Sequence, residues 1–175
     1  RPEQANSCSS LILVLYNFFL VLLWVTFAVI FFVEIKEFSW SQCVKNPQML
    51  HRQSIKVLRY CQVMQMMNVV MAIAGITKTG IINEFLQQLV RCLFTFITIN
   101  EVDATKGPWV TTALFAFALG ETARYPYYFL KCLGLETTDT GLFFGHLRYN
   151  FFFVFYPLGS FCDGMTHIFA AEKMR

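Results

Sequence analysis

The chain has none of the short patterns that usually announce a catalytic class. There is no Gly-rich phosphate loop, no HExxH and no GxSxG, so P-loop nucleotide chemistry, zinc-protease chemistry and the nucleophile elbow have no signature here. The six cysteines stand at 8, 43, 61, 92, 132 and 162. They form no Cys-x-x-Cys or Cys/His pattern, so the sequence offers no metal site and no disulfide frame. Most lie in apolar runs, where a thiol behaves as a small hydrophobe. The net charge is only +3 and no dense basic run exists, which argues against a nucleic-acid partner. Internal repeats and low-complexity tails are absent too. No cofactor is expected.

What the chain has in excess is apolar surface. Of its 175 residues 56% are hydrophobic, and 20 are Phe, above the 45–50% typical of soluble domains. The excess is gathered into long runs. About five are long enough to cross a hydrocarbon core of roughly 30 Å, at about 10–33, 57–76, 81–99, 109–130 and 147–171. The expectation is an all-α, multi-pass transmembrane helical bundle, with 1–175 as one membrane domain. The first residue is Arg1 rather than Met. It is expected to be either a processed N-terminus or the start of a partial record, and a removed presequence would fit organelle import or secretion.

Polar residues inside these runs mark the bundle interior. The first span holds Tyr16 and Asn17, followed by Trp24. Residues 34–54 read as a mixed-charge connection and as the most basic loop. In the second span Gln62, Gln65 and Asn68 recur every third position. The third carries Glu84, Gln87 and Arg91 on one helical face. The fourth carries Glu121 and Arg124 at i,i+3, a spacing that allows a pair within the helix, and Pro126 is expected to bend or end that helix. Residues 131–146 read as a loop.

The fifth span is the most informative. Tyr149, Tyr156 and Asp163 are spaced seven apart, close to two helical turns, so they fall near one face. Two readings stand. One is a hydrogen-bonded face that packs helices together; the other is an acid/base pair. Pro157 and Gly159 follow Tyr156 and predict a kink beside it, with room for a ligand or a neighbouring backbone.

Four stretches, in order, resemble one family. They are Tyr16-Asn17 with Trp24, then Gly75, Gln87 and Arg91. The third is Glu121-Thr-Ala-Arg124-Tyr125-Pro-Tyr-Tyr128, and the fourth is Leu147-Arg148-Tyr149-Asn150 with Tyr156-Pro157-x-Gly159. The pattern is similar to that of the very-long-chain 3-hydroxyacyl-CoA dehydratases, also called protein tyrosine phosphatase-like A. The resemblance implies a six-span bundle of the endoplasmic reticulum that removes water from 3-hydroxyacyl-CoA in fatty-acid elongation. It implies a catalytic pair at Tyr156 and Asp163. Arg91, Arg124 and Arg148, with Tyr149, Gly159, Gln87, Glu121, Tyr16 and Asn17, are the implied substrate-binding or site-supporting residues. A carboxylate can take the proton next to the thioester, and a phenol can protonate or polarise the departing oxygen.

The departures from that pattern matter as well. Asp163 stands where the family has Glu, one methylene shorter, and about 1 Å of misplacement can cost roughly a hundredfold in rate. Asn68 and Met71 replace a second-span Glu and His, Leu23 a Gly, and Phe117 a Trp. A sixth span is absent from the sequence. Lys and Arg favour the side of the first loop, the third loop and the C-terminus, through Lys36, Lys45, Arg52, Lys56, Arg59, Lys106, Lys173 and Arg175. Arg1, Lys78, Lys131 and Arg148 stand on the other side. The positive-inside rule then puts the first loop on the cytosolic or matrix side, against the family's expected orientation. The sequence therefore reads as a dehydratase-fold membrane protein with impaired catalysis. It is expected to be an accessory subunit beside other membrane subunits, in the mitochondrial inner membrane or the endoplasmic reticulum, with lipid lodged near Tyr156. The alternative is an active dehydratase taking a long-chain acyl-CoA. A polar-lined transporter would need discontinuous spans or paired repeats, which the pattern lacks.

Overall fold

The computed structural model describes residues 7–46, 51–77, 80–100 and 108–173, and these contain helices and turns but no strand. In order they are α1 (Ser7–Lys45), α2 (Arg52–Gln65), α3 (Met67–Ile73), α4 (Ile81–Phe96), a 3-10 turn (Thr98–Asn100), α5 (Pro108–Cys132) and α6 (Asp139–Lys173). Helices α2 and α3 run end to end across Met66. The result is an all-α bundle of five helical columns. The charge-side assignments to Arg1, Lys78, Lys106 and Arg175 lie outside the described residues.

Helix α5 is the hub. It packs along α1 on one side and α6 on the other; α1 also packs on α2, and α2 on α4, whereas α4 touches α6 only lightly. The core is aromatic. Trp24 meets Phe27 edge-on at 5.4 Å and stacks on Tyr125 at 6.5 Å. Phe27 stacks on Phe31, and Leu58, Phe94 and Leu114 complete the centre from three other helices. The outside is also apolar. Phe19, Val29, Ile82 and Phe153 are exposed, the last to 76%. Apolar side chains outward and polar ones inward are the pattern of a multi-pass bundle.

Among the described residues one helix, Leu11–Lys45, is long and apolar enough to cross a membrane by length and composition alone. Helices α2, α3 and α4 are shorter, at 14, 7 and 16 residues. Helix α5 holds Glu121 and Arg124, and α6 holds Arg148 and Asp163, all lining one cleft, and these charges lower the hydropathy of both. At 25 residues α5 is long enough, about 37 Å at 1.5 Å per residue.

Several boundaries differ from the sequence reading. The region 34–54 is not all connection, because α1 continues to Lys45. Glu34 stays helical because its charge is used. Its Oε1 accepts from the Gln53 and Ser54 N–H groups at 3.1 and 3.3 Å, and its Oε2 faces His51 Nδ1 at 3.2 Å and accepts the Ser54 hydroxyl. It thus satisfies free donors at the start of α2. Ser39, at φ 62, breaks α1 and redirects its last turn. Cys43 is then buried, and its carbonyl accepts from Thr111 at 3.3 Å. The second span ends early, where Gly75 at φ 69 closes α3 and Ile76 N–H donates to Met71 O at 2.9 Å. The third helix ends at Phe96 and gives way to the 3-10 turn.

Neither internal proline ends its helix: α5 passes Pro126 to Cys132, and α6 passes Pro157. Helix α6 also starts earlier than expected, so residues 131–146 are mostly helix ends. Thr138 is the reason, since its hydroxyl accepts the Gly141 N–H at 3.2 Å and caps the new helix.

Candidate active-site cleft

Where α4 and α6 diverge, a cleft of about 470 Å³ opens between them, with α5 as its floor. Its apolar wall is Leu86, Val90, Phe117, Phe151, Phe152 and Phe155. Its polar wall gathers Gln87, Arg91, Glu121, Arg124, Arg148, Tyr156, Gly159 and Asp163. Eight of the eleven residues singled out in the sequence thus share one cavity.

Each is placed by its own helix. Seven residues of α6 carry Tyr156 and Asp163 to the same side, as the spacing requires. Asp163 sits deep, at 5% exposure, and Tyr156 near the rim, at 37%. Tyr156 stacks its ring near Phe152 at 5.0 Å and lies 6.0 Å under the Arg91 guanidinium. The expected room beside Tyr156 comes from Gly159. A Cβ there would lie 3.4 Å from the Ala116 Cβ, so α5 and α6 are close enough at position 159 that a side chain larger than a methyl would push on Ala116.

The cations are held in two ways. Arg91 Nη1 reaches Glu121 Oε1 at 2.5 Å, and Arg124 Nη1 stands 3.5 Å from Oε2. One buried carboxylate therefore serves two guanidiniums across α4 and α5. The i,i+3 pair read from the sequence is present, and Arg91 joins it from the neighbouring helix. Arg148 is different. Its guanidinium lies 5.0, 4.7 and 5.3 Å from the rings of Tyr127, Tyr128 and Tyr149, and its Nη2 donates to the Tyr128 hydroxyl at 3.0 Å. Among the described residues no carboxylate pairs with it. Ring faces attract a cation without cancelling its charge, so Arg148 presents a positive charge to the cleft.

Three of the eleven do not line the cleft. Tyr149 is exposed at 57%, with its ring 5.3 Å from the Arg148 guanidinium. Tyr16 donates to Met64 O at 3.1 Å and ties α1 to the α2 column. Asn17 donates to Leu13 O at 2.8 Å and approaches Cys132 Sγ at 3.6 Å. These two brace α1.

Other members of the site went unread. Tyr128 holds Arg148, which no local spacing reveals because the two are twenty residues apart on different helices. His167 Nε2 stands 3.2 Å from Asp163 Oδ1, and its Nδ1 is 2.7 Å from Thr98 Oγ. The i,i+4 step from Asp163 to His167 was visible in the sequence as a signal. The polar stripe of α2 is interior as read: Gln62 and Gln65 are buried, and Gln65 Nε2 donates to the Tyr125 hydroxyl at 2.7 Å. On α4 the buried set is Glu84, Gln88 and Arg91, with Gln87 half-buried at the cleft edge. Among the described residues no three His, Cys, Asp or Glu side chains converge as a metal site would need.

The cleft thus joins an apolar trough to a phenol, a carboxylate and an arginine, within a helical bundle whose outer face is apolar. The model of the family described as protein tyrosine phosphatase-like protein, PTPLA, matches residues 62–175, and the chain belongs to that family. The matched segment contains every residue that lines the cleft. Over 113 residues the chain is 28% identical to a very-long-chain (3R)-3-hydroxyacyl-CoA dehydratase of Danio rerio, covering 64% of this chain and 30% of that protein. Over 172 residues it is 25% identical to very-long-chain (3R)-3-hydroxyacyl-CoA dehydratase 3 of Bos taurus, covering 95% of this chain and 44% of that protein. The chain thus spans less than half the length of these curated relatives. No solved structure matches it.

Proposed function

We propose that the cleft binds a long-chain 3-hydroxyacyl thioester and that the protein is a dehydratase of reduced efficiency. The observation that carries this is the convergence of Tyr156, Asp163 and Arg148 on one cavity whose other wall is apolar. The acyl chain lies along Phe151, Phe152 and Phe155. Asp163 takes the proton from the carbon next to the thioester carbonyl. The carbon–carbon double bond forms as the neighbouring C–O bond breaks, and Tyr156 gives the departing hydroxyl its proton, releasing water. A proton passed back from Asp163 to Tyr156 restores both groups. Arg148 meets negative charge on the thioester or its carrier. The rate is reduced because Asp163 is one methylene shorter than the glutamate of the family pattern and sits deeper than Tyr156.

The helices carry this site inside a membrane. The apolar outer face supports that placement, and the endoplasmic reticulum is the membrane the family implies; the charge bias favours the mitochondrial inner membrane instead. A second reading, an accessory subunit with lipid in the cleft, is favoured by the light α4–α6 contact, which leaves the cleft open sideways to lipid or a partner helix.

The test is binding of a long-chain 3-hydroxyacyl-CoA to the purified protein. Arg148→Ala should weaken it by about tenfold or more, the usual scale for a lost charge-assisted contact. Binding unchanged by Arg148→Ala, or none in the wild type, counts against the reading. Isolation in mild detergent with stoichiometric membrane partners would support the accessory role.

A further inference from the structure

We infer that His167 is a positioning residue for Asp163, fixing which carboxylate oxygen faces the substrate. This rests on the reading of Asp163 as the base. Asp163 Oδ1 is enclosed and lies 3.2 Å from His167 Nε2, one helical turn further along α6. The other face of the imidazole is also held. Its Nδ1 is 2.7 Å from the Thr98 hydroxyl on the 3-10 turn, and its ring packs edge-on against buried Phe94 at 6.4 Å.

The Thr98 hydroxyl stands 2.7 Å from His167 Nδ1 and donates to Leu93 O at 3.4 Å. The imidazole is thereby held from its Nδ1 side, with Nε2 facing Asp163 Oδ1 at 3.2 Å, within charge-pairing distance. Since Asp163 lines the cleft and Oδ1 is its enclosed oxygen, Oδ2 is the oxygen left to the substrate. A short carboxylate without this brace would rotate about its side-chain bonds. His167 on α6, itself held by Thr98 on the turn after α4, fixes it at the depth where proton transfer occurs. The device suits an aspartate in particular, because its carboxylate reaches less far than a glutamate's and has less latitude for misorientation.

The experiment compares His167→Ala, His167→Gln, His167→Asn and Thr98→Val in the full chain. Gln places an amide N–H near the position of imidazole Nε2, whereas Asn is too short. With long-chain 3-hydroxyacyl-CoA, His167→Ala and His167→Asn should lose about 10- to 100-fold in kcat, the scale of a small misplacement, with KM nearly unchanged. His167→Gln should recover to within about fivefold. Thr98→Val should lose less, and Thr98→Val with His167→Ala should be no worse than His167→Ala alone, because both act through one chain. Wild-type kcat in His167→Ala, or no difference between Gln and Asn, overturns the inference.

A second readout separates this from failure of the dehydratase reading. In protein labelled with 15N-histidine, the resonance missing from His167→Gln should shift in Asp163→Asn. That result with no turnover in the wild type would retain the pair and retire the chemistry. A His167 signal indifferent to Asp163→Asn would retire the pair.

Discussion

Glu121 shows most clearly what a single residue does here. It is 3% exposed and pairs with both Arg91 and Arg124. Removing one member of a buried ion network strands the others, at about 3–5 kcal/mol. Glu121→Ala should therefore lower stability by that order, read by thermal unfolding in detergent, and a variant as stable as wild type would contradict the network. Arg148 should behave otherwise, because rings rather than a carboxylate hold it. Arg148→Lys keeps the charge and loses the planar stack and the bond to Tyr128, so KM should rise about tenfold or more with the fold retained. At this scale much was legible: helical spacing puts Tyr156 and Asp163 on one side of α6, although the same spacing also pointed to Tyr149, which lies outside the cleft. Partners on other helices were not, since nothing local connects Tyr128 to Arg148 or Thr98 to His167.

At the scale of elements, charge misled the reading. Glu34 looks like the end of a span, yet it is 6% exposed and inside α1, because the start of α2 and His51 supply its partners. Those partners come from a segment some twenty residues on, so periodicity in α1 alone cannot show them. Glu34→Ala should free backbone donors at Gln53 and Ser54 and strand buried His51, at about 1–3 kcal/mol for each stranded group. The loss should be local first, seen as faster hydrogen exchange at 52–56 than at 114–118. Uniform exchange in the two segments would contradict a capping role. Residues 131–146 read as a loop, yet Thr137-Thr138-Asp139-Thr140 within them is also what a helix N-cap looks like, and Thr138 uses it so. Gly159 belongs to this scale as well. Gly159→Leu would drive a side chain into Ala116 and separate α5 from α6, and overpacking of this kind costs about 1–3 kcal/mol.

For the whole molecule, the five-column count and the inward polar faces were readable from composition and spacing, while the order of packing was not. Which helices leave a gap depends on side-chain volumes on every face at once, and the gap between α4 and α6 is what makes the site. The floor of that gap tests its use. Gly120 lines the cleft, and a Cβ there meets nothing within 4 Å. Gly120→Leu should fold normally and fill the cavity, abolishing acyl-CoA binding without touching a charged group. Full binding in that variant would place the ligand elsewhere.

On the proposed mechanism Tyr156 and Asp163 form a dehydrating pair whose short carboxylate limits the rate. The direct measurement is conversion of a long-chain 3-hydroxyacyl-CoA to the 2-enoyl thioester by the purified protein and by its Asp163→Glu variant, with Tyr156→Phe alongside. The account predicts slow turnover in the wild type, faster turnover by about tenfold or more in Asp163→Glu, and none in Tyr156→Phe. A folded wild type and a folded Asp163→Glu that both bind the thioester and leave it unchanged would contradict it.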